Sequence, residues 1–88
     1  MSAREIRDYL NAIWRELDQV LWKESSAPLK NAKAFEGDGP TWKLLIIRSK
    51  DGSHLDGTAT HKDRLTVVHL PTKMVADCEF LIRDKKLI

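Results

Sequence analysis

The fold of this chain depends on residues 72–88, which read TKMVADCEFLIRDKKLI. Two apolar patterns overlap in this segment. One has helical spacing and comprises Met74, Cys78, Leu81 and Ile82; the other alternates as in a strand and comprises Ala76, Cys78, Phe80 and Ile82. Because β-branched and aromatic residues favour strands, the sequence predicts a strand over 75–83. A helix capped by Thr72 is the alternative, and it would give the order α-β-β-β-α.

Ahead of this segment, residues 41–49 have the pattern of a strand. One face carries Trp42, Leu44 and Ile46, and the other face is also apolar because it carries Leu45 and Ile47. A strand with two apolar faces is either covered on both sides or uses one face for association.

Two further strands are predicted after this one. Asp51-Gly52, within residues 50–53, is typical of a tight hairpin turn. A weak strand follows at about 54–60, where Gly57 indicates an edge or a bulge. Arg64–Leu70 is rich in β-branched residues and predicts a third strand, which Pro71 ends.

The N-terminal segment has the clearest helical pattern. Ser2 and Glu5 have the spacing of a capping box. Apolar residues then recur at steps of three and four, at Ile6, Leu10, Ile13, Leu17 and Val20. The pattern predicts a helix over 2–24, followed by a connection over 25–40 that holds a short helix at about 27–35. The expected architecture is one α+β domain, residues 1–88, with a long N-terminal helix packed on a small antiparallel sheet of three to four strands within 41–88.

Composition restricts the class of protein. The chain has 88 residues, of which 42% are hydrophobic and 32% charged, as in globular domains. Its net charge of +2 is spread along the chain rather than gathered in the basic patch that phosphate binding requires. The start of the chain lacks the apolar core of a signal peptide, and the longest apolar run, Leu44–Ile47, cannot span a membrane. With one cysteine, Cys78, and no intramolecular disulfide, a cytoplasmic protein with no membrane partner is predicted.

Residues capable of chemistry are few. His54, His61 and His69 lie at spacings unlike the short paired spacings of zinc ligands. The sequence contains no glycine-rich phosphate loop, no Gly-x-Ser-x-Gly elbow and no dinucleotide fingerprint. Neither a metal nor a cofactor is therefore expected.

One local pattern has a counterpart in a known family. Asp51-Gly52-Ser53-His54, a short strand, and then Leu65–Pro71 resemble the HicA-type toxins. The resemblance implies a small endoribonuclease with a double-stranded-RNA-binding-like α-β-β-β-α fold, in which His54 matches the catalytic histidine. Two features depart from the family: the predicted first helix is longer, and the Gly-Thr-Leu that opens the family's last helix is absent.

The chemistry implied by this resemblance needs two kinds of group. A neutral histidine would take the proton of the RNA 2′-hydroxyl, because its pKa lies near neutral pH. Cations would stabilise the charge that develops on the phosphate, and the candidates are Lys50, Lys62 and Arg64.

Three functions follow from these observations. The leading interpretation is a non-enzymatic regulator or inhibitor that acts through a protein–protein surface, alone or as a homodimer. It rests on three tryptophans in 88 residues and on the strand with two apolar faces, since aromatic residues concentrate at the centres of interfaces. Trp22, which lies off the helical stripe, and Trp42 are its candidate contacts.

The endoribonuclease using His54 is the enzymatic alternative. A nucleic-acid-binding module is the third, with candidate contacts Lys30, Lys33, Lys62, Arg64, Lys85 and Lys86.

Overall fold

The computed structural model describes residues 2–26 and 29–88. Within these residues the chain forms α1 (Ala3–Glu16), a 3₁₀ turn (Leu17–Gln19), β1 (Leu21–Glu24), β2 (Ala32–Asp38), β3 (Trp42–Ser49), β4 (Leu55–His61), β5 (Val67–His69) and α2 (Thr72–Asp84). The described strands form one sheet in the order β1-β2-β3-β4-β5, and all neighbours are antiparallel. The predicted α+β class with an antiparallel sheet is confirmed.

The N-terminal helix begins as predicted but is shorter. The Ser2 hydroxyl accepts the Glu5 N–H at 3.2 Å, which is the serine half of the capping box, and it donates to the Glu5 carboxylate at 3.2 Å. The predicted end at residue 24 is wrong, because the α-helix ends at Glu16 and a 3₁₀ turn leads into β1. Leu17 and Val20 remain buried through that turn. Because the apolar spacing continues past Glu16, the sequence pattern does not indicate the C-terminal end of the helix.

The predicted connection over 25–40 contains a strand. β2 pairs with β1 and with β3, so it is an inner strand of the sheet. The short helix predicted at about 27–35 is wrong over 32–35, which belong to β2; its start, at Ala27 and Pro28, lies outside the described residues. Phe35 and Gly37 alternate toward the core, but Lys33, Glu36 and Asp38 are exposed and dilute the hydrophobic signal of the strand. The described sheet consequently has five strands rather than three to four.

The C-terminal segment is a helix, so the predicted strand over 75–83 is wrong and the alternative helix is confirmed, although its N-cap residue is Pro71 rather than Thr72. Met74, Cys78 and Ile82 are buried at helical spacing, whereas Ala76 and Phe80 are exposed. Packing against the sheet therefore outweighs the β-propensity of Val, Phe and Ile. The order of elements has the helices at the two ends of α-β-β-β-α, but with five described strands between them.

The helices cover one face of the sheet. α1 contributes Ile13 to the core, α2 contributes its buried residues, and β3 contributes Trp42, Leu44 and Ile46. Leu45 and Ile47 point to the opposite face and are exposed. Of the two predicted uses of this strand, coverage on both sides is therefore not found among the described residues.

Candidate functional site

The turn between β3 and β4 contains the predicted catalytic residue. Gly52 adopts a φ of +76°, which glycine reaches without steric cost. The Asp51 carboxylate accepts the Ser53 hydroxyl at 2.7 Å, the Ser53 N–H at 2.9 Å and the Ser49 hydroxyl at 2.8 Å. These hydrogen bonds hold the pKa of the Asp51 carboxyl well below its usual range. The hydrogen bond from the Ser53 hydroxyl has the largest effect. The Asp-Gly turn predicted from the sequence is thus present and internally bonded.

His54 is exposed at the end of this turn. Its backbone N–H donates to the Ser49 hydroxyl at 3.0 Å, and its Nδ1 lies 3.1 Å from the Ser53 hydroxyl oxygen. Because a serine hydroxyl has one proton and Asp51 accepts it, we assign the donor in the second contact to Nδ1 of His54. This tautomer leaves Nε2 as a free acceptor, as a general base requires.

The structure brings together few of the residues predicted to assist His54. Lys50 shares its turn, but Lys62 and Arg64 follow the other end of β4. β4 has seven residues, so the two ends lie roughly 20 Å apart at about 3.3 Å per residue. Lys62 is also paired, since its Nζ lies 2.7 Å from Asp38 and lowers the pKa of that carboxyl. The predicted cation cluster around His54 does not form.

The other histidines lie elsewhere. The His61 and Trp42 rings pack in a T-shaped arrangement with their centroids 4.9 Å apart. His69 lies on β5, opposite Thr58 of β4. The described residues include no group of three or more His, Cys, Asp or Glu side chains placed to hold a metal ion. Cys78 is buried, and burial, followed by the charge of Asp77, raises the pKa of its thiol to about 12. A thiol with this pKa stays protonated at neutral pH and is a poor nucleophile.

The two tryptophans predicted to contact a partner are directed inward. Trp42 is 2% exposed and packs between Tyr9, at a centroid distance of 5.6 Å, and His61. Trp22 lies on β1 opposite Gly37. Its ring packs directly against this glycine, because a Cβ at residue 37 would lie only 2.9 Å from Cζ3 of Trp22. Its indole Nε1 is buried and has no hydrogen-bond partner in the described part of the chain. Trp42 therefore offers no contact surface, whereas Trp22 is half-buried and lines a cavity of about 360 Å³.

A groove lies between the two helices, and the sequence patterns did not predict it. This helix groove is shallow and open to solvent, has a volume of about 660 Å³ and is lined by Trp14, Arg15, Leu17, Asp18, Lys73, Asp77, Phe80 and Leu81. Trp14 is 48% exposed and Phe80 is 71% exposed. The predicted strand over 75–83 instead places Phe80 on one face with Ala76, Cys78 and Ile82. The signal becomes visible once 72–84 is taken as a helix, because Phe80 then lies off the buried face formed by Met74, Cys78 and Ile82.

The charged groups of the helix groove are unpaired. Arg15, Asp18, Lys73 and Asp77 take part in none of the salt bridges between described residues. Asp77 is the only half-buried member of this charged set, the others being exposed. Its Oδ2 atom is buried and has no hydrogen-bond partner among the described residues. A buried carboxylate oxygen without a partner is energetically unfavourable.

Comparison with known proteins yields no relative: no family model, no curated protein and no solved structure matches this chain. Within the residues that the structure describes, neither helix is long and apolar enough to cross a bilayer. What the chain binds must therefore be judged from its own side chains.

Proposed function

We propose that this chain is a non-enzymatic regulatory protein that binds a segment of another protein in the helix groove. The observation that supports this function is the pair of exposed aromatic rings, Trp14 on α1 and Phe80 on α2, on a groove with an apolar floor. Aromatic side chains that become buried on association contribute much of the binding energy at protein interfaces. We place this function in the cytoplasm, in accord with the single cysteine and its buried thiol.

The occupant we propose is an amphipathic helix that carries a basic residue beside its apolar anchors. Grooves between helices bind such segments through apolar residues spaced by three or four positions. Leu17 and Leu81 provide the floor for these anchors. An Arg or Lys of the partner would pair with the half-buried carboxylate of Asp77, which lines the groove, and form a charge-assisted hydrogen bond. We expect the partner to be basic because Asp77 is a half-buried charge of the groove, whereas Arg15 and Lys73 are exposed to water and need no partner.

Selection from a displayed library of random peptides tests this proposal directly. Peptides enriched on the wild-type chain should combine helical apolar spacing with a basic residue. Phe80→Ala should weaken their binding at least about tenfold, as loss of an interface anchor does, and Asp77→Asn should weaken the basic peptides selectively. Leu65→Ala is the matched control, because Leu65 is a fully exposed apolar residue outside the groove. Enriched peptides that bind the Phe80→Ala chain as tightly as the wild type would refute the proposal.

A second candidate is the endoribonuclease with His54 as its general base. It is favoured by the exposed His54 ring with its free Nε2, and by the C-terminal helix, which the HicA-type fold also has. The separation of Lys62 and Arg64 from His54 leaves only Lys50, of the predicted cations, to stabilise the phosphate. Because one predicted cation alone lies near His54, we favour the binding function over the endoribonuclease.

Expression in a bacterial host separates these two candidates. Growth arrest with RNA cleavage that disappears in His54→Ala would establish the endoribonuclease. We expect instead that the wild-type chain and His54→Ala leave growth and bulk RNA equally intact.

Nucleic acid is a weaker candidate partner. Lys62 is paired with Asp38, and Lys50 lies at the opposite end of β4 from Lys62 and Arg64. Single-stranded nucleic acid binds sheets through stacked aromatic rings. Among the described strand residues, the exposed face of the sheet carries no Phe, Tyr or Trp. We therefore expect weak binding of oligonucleotides at most, with an affinity that falls steeply as salt is added.

A further inference from the structure

β1 is the outermost strand of the sheet on one side, and its outer edge is unpaired in the described part of the chain. Among the described strands it pairs with β2 alone. The N–H of Ser25 donates to the carbonyl of Ala34 at 2.8 Å, so these two residues form a hydrogen-bonded pair. Hydrogen-bonded and non-hydrogen-bonded pairs alternate along an antiparallel ladder. Lys23 therefore also bonds toward β2, whereas the N–H and C=O groups of Trp22 and Glu24 point away from the sheet.

This outer edge is accessible to a partner strand. Leu21 is 70% exposed, and Lys23 and Glu24 are exposed as well. The other edge of the sheet is less accessible, because β5 has only three residues and α1 lies against it. An extended segment of another chain can bond to such an edge and lengthen the sheet.

We propose that β1 receives an extended segment of another protein as an added antiparallel strand, with an acidic residue opposite Lys23 and an apolar residue opposite Leu21. Main-chain hydrogen bonds to Trp22 and Glu24 would hold the segment, and its alternate side chains would determine which segment binds. Because the added strand runs antiparallel to β1, the acidic residue comes first along the segment and the apolar residue two positions later.

A cavity beside β1 supports the acidic position. It has a volume of about 360 Å³, and the charged residues of its lining are Lys23, Glu36, Asp38 and Lys43. Asp38 is already bound by Lys62, whose Nζ lies 2.7 Å away. Three lysines thus surround two carboxylates at this corner of the sheet. A carboxylate from the partner segment would balance these charges, because opposite charges on neighbouring strands stabilise the pairing.

A second copy of this chain fits the edge less well than an acidic segment does. Two registers pair three residues of β1 with the same strand of a copy while keeping matching faces together. One places Lys23 opposite its own counterpart, and like charges in this position are destabilising. The other places Leu21 opposite Lys23, which sets an apolar side chain against a charged one.

A displayed library of octapeptides tests the proposal, because peptides of this length are too short to form stable helices. Sequences enriched on the wild-type chain should carry Asp or Glu followed two positions later by an apolar residue. Glu24→Pro should weaken their binding at least about tenfold, because it removes an outward N–H at an edge position where proline leaves the inward ladder intact. Glu24→Gln keeps this N–H and should bind the octapeptides as the wild type does.

Phe80→Ala separates this proposal from the proposed function. The helix groove contains no residue of β1, so the change should leave octapeptide binding intact whether or not the groove binds a helix. Failure to enrich octapeptides of the expected pattern, or equal binding to Glu24→Pro and the wild type, would overturn the proposal.

Hydrogen exchange of the wild-type backbone amides tests the same geometry without a variant. In the free chain the amides of Trp22 and Glu24 should exchange rapidly, whereas the amide of Lys23, which bonds to β2, should be protected. A bound octapeptide should slow the exchange at Trp22 and Glu24. Protection of these two amides already in the free chain, or rapid exchange that persists with the octapeptide bound, would contradict the added strand.

Discussion

At the scale of single residues, Glu16 joins the end of α1 to the turn between β2 and β3. Its side chain is buried, and its Oε2 accepts the N–H of Thr41 at 2.9 Å. Oε1 is buried without a hydrogen-bond partner among the described residues. A sequence-based interpretation assigns such a glutamate to a solvated helix face, because its role depends on a residue 25 positions away.

We expect Glu16→Ala to lower the free energy of unfolding by about 1–3 kcal/mol, since it removes a part-buried hydrogen bond from the Thr41 N–H to a charged carboxylate. Glu16→Gln keeps an acceptor oxygen and should cost less. Urea unfolding measures both, with the exposed Glu24→Gln as the control. Equal stability of Glu16→Ala and the wild type would show that this hydrogen bond does not hold the turn.

Asp51 gives the turn before β4 a dependence on pH. Its pKa is lowered in the folded chain by the hydrogen bonds from Ser53 and Ser49, so its ionised form favours folding. This contribution is complete above the unfolded pKa of Asp, about 3.9, and is lost as pH falls below that value.

The wild type should therefore be more stable than Asp51→Asn at neutral pH, and the difference should shrink as the pH falls below about 4. Thermal unfolding across this pH range measures the difference. Asp63→Asn, a change in an exposed loop, is the control. A difference between wild type and Asp51→Asn that stays constant with pH would rule out this role for the carboxylate.

At the scale of elements, the sequence predicted those whose pattern is local. The start of α1, β3 and the Asp51-Gly52 turn follow from a capping box, an alternating strand and a tight-turn dipeptide, and each is confirmed. β2 was missed because pairing on two sides, rather than a strong apolar pattern, makes it a strand. α2 was assigned to the wrong type because its two apolar patterns are equally regular, and only the sheet beneath it selects one.

The helix groove could not be predicted for the same reason. It requires Phe80 to be on the outer side of a helix and Trp14 on a neighbouring helix, and both conditions depend on the identity of α2. The inward placement of Trp42 with Leu44 and Ile46 was not predicted either, because both faces of this strand are apolar in the sequence.

Gly57 determines how closely α2 approaches the sheet. A Cβ at this position would lie 2.8 Å from Cδ1 of Ile46 and 3.0 Å from Cγ2 of Val75. The predicted edge or bulge is therefore not its reason: β4 is an inner strand, and the glycine makes room for the helix.

Gly57→Ala should lower the free energy of unfolding by about 1–3 kcal/mol, the usual cost of excess volume in a packed core. Chemical denaturation measures this change. Thr60→Ala, at an exposed position of the same strand, should have a smaller effect. A Gly57→Ala chain as stable as the wild type would mean that α2 can shift away from the sheet without cost.

At the scale of the whole molecule, the helix groove and the sheet face that the helices leave uncovered are two separate surfaces. The helix groove combines exposed aromatic rings with a half-buried carboxylate, whereas the uncovered sheet face places Leu45 and Ile47 directly beside Glu36 and Asp56. His54 and its turn lie at one end of β4 and belong to neither surface.

The most direct test of the binding proposal is a titration of ¹⁵N-labelled wild-type chain with a peptide enriched in the library selection, followed by nuclear magnetic resonance. We expect the largest shifts at the Trp14 indole N–H and at the backbone amides of Asp77, Phe80 and Leu81, with little change at Ser53 and His54. Shifts that instead concentrate on Leu45, Ile47 and Val67, or on the turn at 50–54, would contradict the assignment of the helix groove as the site of protein binding.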